Sequence, residues 1–73
     1  MRRRDTINGK LTARESEVLR WVANGKSAWE IGEILDITKR TVDEHVHAAV
    51  RKLGAANRTH AVAIALRDGL IKL

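Results

Sequence analysis

An all-α fold, a four-helix bundle with a central helix-turn-helix, is what this sequence predicts. Three observations carry that expectation. The chain has no proline and no alternating run of β-branched residues. Ser, Thr and Asn recur at cap positions, each followed by apolar residues at helical spacing. The second and third capped segments are separated by only a few residues, which suits a tight helix-turn-helix connection.

The first helix is expected over about 12–24. Thr12-Ala13-Arg14-Glu15 is a capping box, in which the Thr12 hydroxyl takes one free amide and Glu15 reaches back to another. Val18, Leu19 and Val22 form its apolar stripe, and Gly25 stops it. Ser27-Ala28-Trp29-Glu30 is a second box and opens a helix over about 28–35, carrying Ile31, Ile34 and Leu35. Asp36 and Ile37 form the turn. Thr38 caps a third helix over about 39–53, closed by Gly54. Asn57 caps a fourth, about 58–68, and Gly69 ends it. Residues 1–9 read as a flexible basic arm or linker, and 10–73 as the folded domain.

The chain has 73 residues, which suits one small domain with little room for an active-site cleft. It has no cysteine, so disulfides and thiolate metal sites are excluded. No apolar run approaches the roughly 18 residues of a membrane span, and no signal-type segment follows the basic start. A cytoplasmic location is expected. The formal net charge is +5, and Arg2, Arg3 and Arg4 supply three of the cations. From Asp5 onward 11 cations face 9 acids. A mildly basic body with a basic arm suits an anionic partner, nucleic acid first.

The stretch T-K-R-T-V-D-E-H-V-H at 38–47 decides what the third helix presents. With Val42 at zero and 100° per residue, Val46, Ala49 and Leu53 fall within about 40° and form the core stripe. Arg40, Glu44, His47 and Arg51 fall at about 140–200°, directly away from the core. Asp43 and Lys39 lie on one flank, and Thr41 and Ala48 on the other. His45 and His47 point about 160° apart and cannot grip one ion. No metal site or cofactor is therefore expected. An acid–base pair would need a cleft to tune it, so no catalytic residue is assigned and no enzyme activity is expected. An exposed helix face of small and polar side chains suits reading of base edges in a DNA groove. His45 borders the core and is expected to be a packed, hydrogen-bonded histidine. Trp21 and Trp29 flank apolar stripes and are expected to pack. Trp29, in the first turn of the second helix, has the better chance of touching a DNA backbone.

Further pieces stand in a fixed order. They are L-T-A-R-E-S-E-V-L at 11–19, A-N-G-K-S at 23–27, E-I-G at 30–32, L-D-I-T at 35–38, T-V-D-E-H-V at 41–46, R-K-L at 51–53, N-R-T at 57–59 and G-L-I at 69–71. The ordered set resembles the DNA-binding domain of the LuxR/GerE (NarL/FixJ-type) transcription regulators, from about Lys10 to Ile71. The resemblance implies that the third helix enters the major groove of double-stranded DNA and that the fourth mediates dimerisation. It places base contacts at Asp43, Glu44 and His47, and phosphate contacts at Ser27, Lys39, Arg40 and Thr41. Arg51, on the same exposed face, is expected to join the phosphate contacts. Many members carry Lys or Arg at the positions of Asp43 and His47, so a changed base preference is expected here. Glu15 and Arg58 match charged positions of the family and are expected to pair. The Arg2–Arg4 arm is expected to add non-specific phosphate affinity.

A-V-A-I-A-L at 61–66 is apolar all round. Ala61, Val62 and Ala65 can face the core. Thr59, Ala63 and parts of Ile64 and Leu66 then need another cover, most simply the same helix of a second copy about a two-fold axis. A homodimer surface is expected at Thr59, Ala63, Ile64 and Arg67, over a near-palindromic operator. No small-molecule ligand is expected in this domain. The expected function is a sequence-specific DNA-binding transcription regulator or its isolated DNA-binding domain. One rival is a standalone interaction module that heterodimerises with a full-length relative and modulates it. Another is a sigma-factor-like helix-turn-helix, against which the fourth helix and the G-L-I ending argue.

Overall fold

A computed structural model describes residues 6–7 and 11–73. Four helices follow one another: α1 (Ala13–Ala23), α2 (Ala28–Leu35), α3 (Lys39–Leu53) and α4 (Arg58–Arg67). Each begins at the cap the sequence offers. Thr12 accepts the amide of Glu15, Ser27 that of Glu30, Thr38 that of Thr41 and Asn57 that of His60. Both reciprocal capping boxes form, because Glu15 and Glu30 return a carboxylate oxygen to the amides of Thr12 and Ser27. The helix ends lie within a residue of the expected ones.

A two-residue ladder was not expected. The strands β1 (Thr6–Ile7) and β2 (Leu11–Thr12) pair antiparallel, with Thr6 opposite Thr12 and Ile7 opposite Leu11. Part of the stretch read as an arm thus folds back onto the entry to α1. Arg2–Arg4 lie outside the described residues.

The helix α3 packs against each of the other three, so its core stripe organises the domain. One apolar cluster joins Leu11, Leu19, Ala49, Ala61, Ala65 and Ile71. The other joins Val18, Ala28, Ile31, Val42 and Val46, with Trp21, Leu35 and Ile37 packed against it. Val50 packs against both clusters. The chain turns back after α4, where the Leu70 amide reaches the Ala65 carbonyl at 2.8 Å and Ile71 is buried.

Glu15 does not pair with Arg58. Its carboxylate is buried and takes the Lys52 ammonium on both oxygens, at 2.8 and 3.0 Å. Lys52 lies about 80° from the centre of the α3 core stripe, so its long stem can run along the α1–α3 seam to the acid. Arg58 stays exposed at the start of α4. His45 is half-buried as expected, but its side chain makes no hydrogen bond among the described residues.

The turn between α2 and α3 is set by two backbone features. Asp36 adopts the left-handed conformation with φ 59°, a state that Asp tolerates better than most residues. Gly32 lies so close under the turn that a Cβ there would stand 2.7 Å from the Ile37 carbonyl oxygen. The chain therefore doubles back within three residues and delivers α3 across α2.

Candidate nucleic-acid interface

The exposed side of α3 is a single stripe. Arg40, Glu44, His47 and Arg51 are all exposed, at spacings of four, three and four residues. Val42, Val46 and Ala49 on the opposite side are buried. The stripe holds because the core residues recur at helical period and turn this face away from the other described helices.

Glu44 of the stripe and Asp43 on its flank are both paired within the helix. The Lys39 Nζ stands 2.8 Å from the Asp43 Oδ2, and the Arg40 Nε stands 3.5 Å from the Glu44 Oε2. The Thr41 hydroxyl shares a 3.0 Å hydrogen bond with that of Thr38, the cap. His47 and Arg51 are exposed one turn apart. Of the eight residues expected to touch DNA, seven therefore lie together on α3, with Thr41 and Asp43 half-buried.

Ser27 sits apart, at the start of α2. Its hydroxyl accepts the Glu30 amide at 3.1 Å, and Glu30 accepts the Ser27 amide at 2.8 Å. Those bonds from the Ser27 backbone and side chain hold the Glu30 carboxyl below its ordinary value. The Ser27 hydroxyl thus acts first as a cap. First-turn amides generally lack intrahelical partners and suit a phosphate.

Two residues gain a different place from the one expected. Trp29 does not pack: it is 61% exposed. It lines a groove with Gly32, Glu33, Asp36, Ile37, Thr38 and Lys39, which joins the starts of α2 and α3. Arg58 lines a second notch with Asp43, Val46, His47 and Asn57, beside the α3 stripe. Sequence reasoning missed Arg58 as a candidate contact. The available signal was a cation at the first position of a helix, where the macrodipole disfavours it.

The fourth helix carries a second exposed stripe. Thr59, Ala63, Leu66 and Arg67 are exposed at helical spacing, while Ala61 and Ala65 are buried beneath. Ile64 is half-buried between the two faces. Arg67 folds onto Asp68, its Nε 2.9 Å from the Oδ1, and that bond raises its pKa. Among the described residues no helix is long and apolar enough to cross a membrane.

Comparison with known proteins agrees with this fold. The family described as "Bacterial regulatory proteins, luxR family" matches residues 9–65. The chain is 64% identical over 62 residues to the transcriptional activator protein BjaR1 of Bradyrhizobium diazoefficiens, a match covering 85% of this chain and 26% of that protein. It is 62% identical over 64 residues to the quorum sensing-dependent transcriptional regulator RpaR of Rhodopseudomonas palustris, covering 88% of this chain and 26% of that one. The chain thus spans about a quarter of the length of these curated relatives. Its fold superposes on the transcription factor GerE with a TM-score of 0.81 at 32% identity, over 85% of this chain and 92% of that one. It superposes on VqmA in the Vibrio cholera VqmA–ligand–DNA complex with a TM-score of 0.79 at 32% identity, over 100% of this chain and 32% of that one. With its four capped helices, its helix-turn-helix and these matches, the chain belongs to the LuxR family of bacterial regulatory proteins.

Proposed function

We propose that this domain binds double-stranded DNA in the bacterial cytoplasm as a homodimer and so regulates transcription. In this reading it needs no cofactor, binds no small molecule within the domain and catalyses no reaction. The observation that carries it is the exposed polar stripe of α3, backed by a rigid core stripe and joined to α2 by a tight turn. The VqmA complex contains DNA, and DNA is the partner this reading brings to the present chain. Asp43, Glu44 and His47 face the base edges. Ser27, Lys39, Arg40, Thr41 and Arg51 face the flanking phosphates, with the Trp29 indole against the backbone beside Lys39.

Fluorescence anisotropy with genomic promoter fragments and random DNA, across a salt series, tests the reading. A site bound at least about a thousandfold more tightly than random DNA is expected. The log affinity should fall linearly with log salt. Failure on both DNAs by a folded protein would overturn the reading and favour the interaction module that pairs with a longer relative. Base readout has its own test. Glu44→Ala or Asp43→Ala should flatten the preference at one base pair, where the carboxylate accepts from a cytosine amino group. Binding profiles on base-substituted sites that match the parent protein would remove that role.

The α4 stripe is proposed as the homodimer surface, formed by Thr59, Ala63, Ile64 and Arg67 about a two-fold axis. Ala63→Glu puts two like charges near that axis and leaves the buried Ala61 and Ala65 untouched. We expect binding to a two-half-site operator to weaken about tenfold, with single-half-site binding unchanged. Unaltered stoichiometry by sedimentation on DNA would show that the interface lies elsewhere.

A further inference from the structure

We propose that Asp43 and Glu44 gate the phosphate-binding cations of α3, so that Lys39 and Arg40 pass to DNA readily only where the groove offers hydrogen-bond donors to both carboxylates. The inference rests on the DNA-binding reading above.

Lys39 and Arg40 hold the first two positions of α3. The helix macrodipole disfavours cations there, so helix stability does not explain them, whereas a nearby phosphate would. Each cation is already engaged by an acid one turn on, at 2.8 Å for Lys39–Asp43 and 3.5 Å for Arg40–Glu44. In both pairs the cation precedes the acid, the less favourable order for a helix. The side chains are 61% and 46% exposed in the first pair and 89% and 65% in the second. Pairs so exposed add little to the fold and exchange partners readily. Their consequence is electrostatic. The four residues sum to zero charge, so their side chains add almost no net charge to what a distant phosphate backbone meets at the start of α3.

Exchange has a condition built into it. When Lys39 or Arg40 moves to a phosphate, its carboxylate is left facing a polyanion. That carboxylate is repelled unless it accepts a hydrogen bond, and the donors on major-groove edges are the amino groups of cytosine and adenine. On random DNA the stranded acids oppose the phosphate contacts. At a site with amino groups in register, the acids and the cations are satisfied together. Phosphate affinity, which by itself carries no sequence information, becomes conditional on base identity.

The test measures salt-dependent binding to the specific site and to random DNA for the parent chain, Asp43→Asn, Glu44→Gln and the double variant. The amides keep the shape and remove the charge. For the double variant, the slope of log affinity against log salt on random DNA should steepen by about 2, close to 0.9 for each released cation. Random-DNA affinity should rise about thirtyfold near 0.15 M salt, the factor that two further phosphate contacts give. The ratio of specific to random affinity should fall. An unchanged slope with unchanged or weaker random-DNA binding, in variants of normal helicity, overturns the gate. If the parent chain still binds its site in that case, the DNA-binding reading survives without it. If the parent chain binds neither DNA and the double variant binds both equally, the acids block the cations without any base opening them, and the gate fails together with sequence-specific recognition. Binding by none of them overturns both.

Discussion

Replacing Glu15 with Gln is expected to lower the unfolding free energy at pH 7 by about 2–3 kcal/mol, because it leaves Lys52 half-buried without its counter-charge. The loss is smaller than for a fully buried pair because the Lys52 side chain keeps 31% exposure, although Glu15 keeps only 8%. In a domain of this size a loss of about 2 kcal/mol lowers Tm by about 8–16 °C. The pH dependence separates this pair from a simple packing effect. Burial pushes the Glu15 carboxyl up, but hydrogen bonds from Lys52 and the Thr12 amide outweigh it, helped by the Lys52 charge and the Thr12 hydroxyl. The net result is below the ordinary value of 4.5. A carboxyl whose folded pKa is lowered contributes stability that is fully present above its unfolded pKa and is lost as pH falls through the folded one. Urea unfolding should therefore show a constant gap between parent and variant above about pH 5, narrowing steadily in more acid solution. A gap that is negligible at pH 7, or that persists unchanged in acid, would show that the Lys52 contact does not hold α1 to α3.

The helices were legible because each is announced locally. Thr12, Ser27, Thr38 and Asn57 cap the helices they were expected to cap, since a cap depends on residues three positions away and on nothing distant. The two faces of α3 were legible for a similar reason: a helix of 15 residues leaves little freedom in which side turns inward once Val42, Val46 and Ala49 are taken as core. Three features were not legible. The ladder of β1 and β2 is two residues long, too short for an alternating pattern to declare it. The partner of Glu15 lies 37 residues away, and the sequence showed charged positions without saying which long side chain crosses the α1–α3 seam. Trp29 was expected to pack, yet Ala28 and Ile31 fill the inner face of α2 and leave the indole outside. For the ladder and for Glu15 the decisive partner comes from another element, and for Trp29 the outcome depends on which face of α2 is turned to the core, so the information lies in how the elements are set against one another.

That setting depends most narrowly on Gly32. We expect Gly32→Ala to cost about 2 kcal/mol in stability and to weaken specific DNA binding in the protein that remains folded. Helix propensity alone predicts the opposite, a gain of about 1 kcal/mol for Ala over Gly inside a helix. The close approach reverses the sign. A Cβ at this position stands 2.7 Å from the Ile37 carbonyl oxygen and 3.4 Å from the Lys39 amide nitrogen. Neither atom belongs to a side chain that can swing aside. The oxygen is also part of a turn tied down by the Ile37 amide on the Gly32 carbonyl at 2.9 Å and by the left-handed Asp36. The backbone must open between α2 and α3, which displaces Lys39 and Arg40 relative to Ser27. Contacts proposed to span both helices then lose register, and misplacement costs affinity beyond the loss of stability. Gly54→Ala is the comparison, because that position has φ 64° and open space around it. There the penalty is that of the left-handed backbone alone, about 1–2 kcal/mol, with α2 and α3 still in register and DNA binding retained. Thermal unfolding and anisotropy on both variants separate the cases. If Gly32→Ala were as stable as the parent and bound as tightly, the turn would have to yield without moving α3, and the geometry of the helix-turn-helix would not depend on this contact.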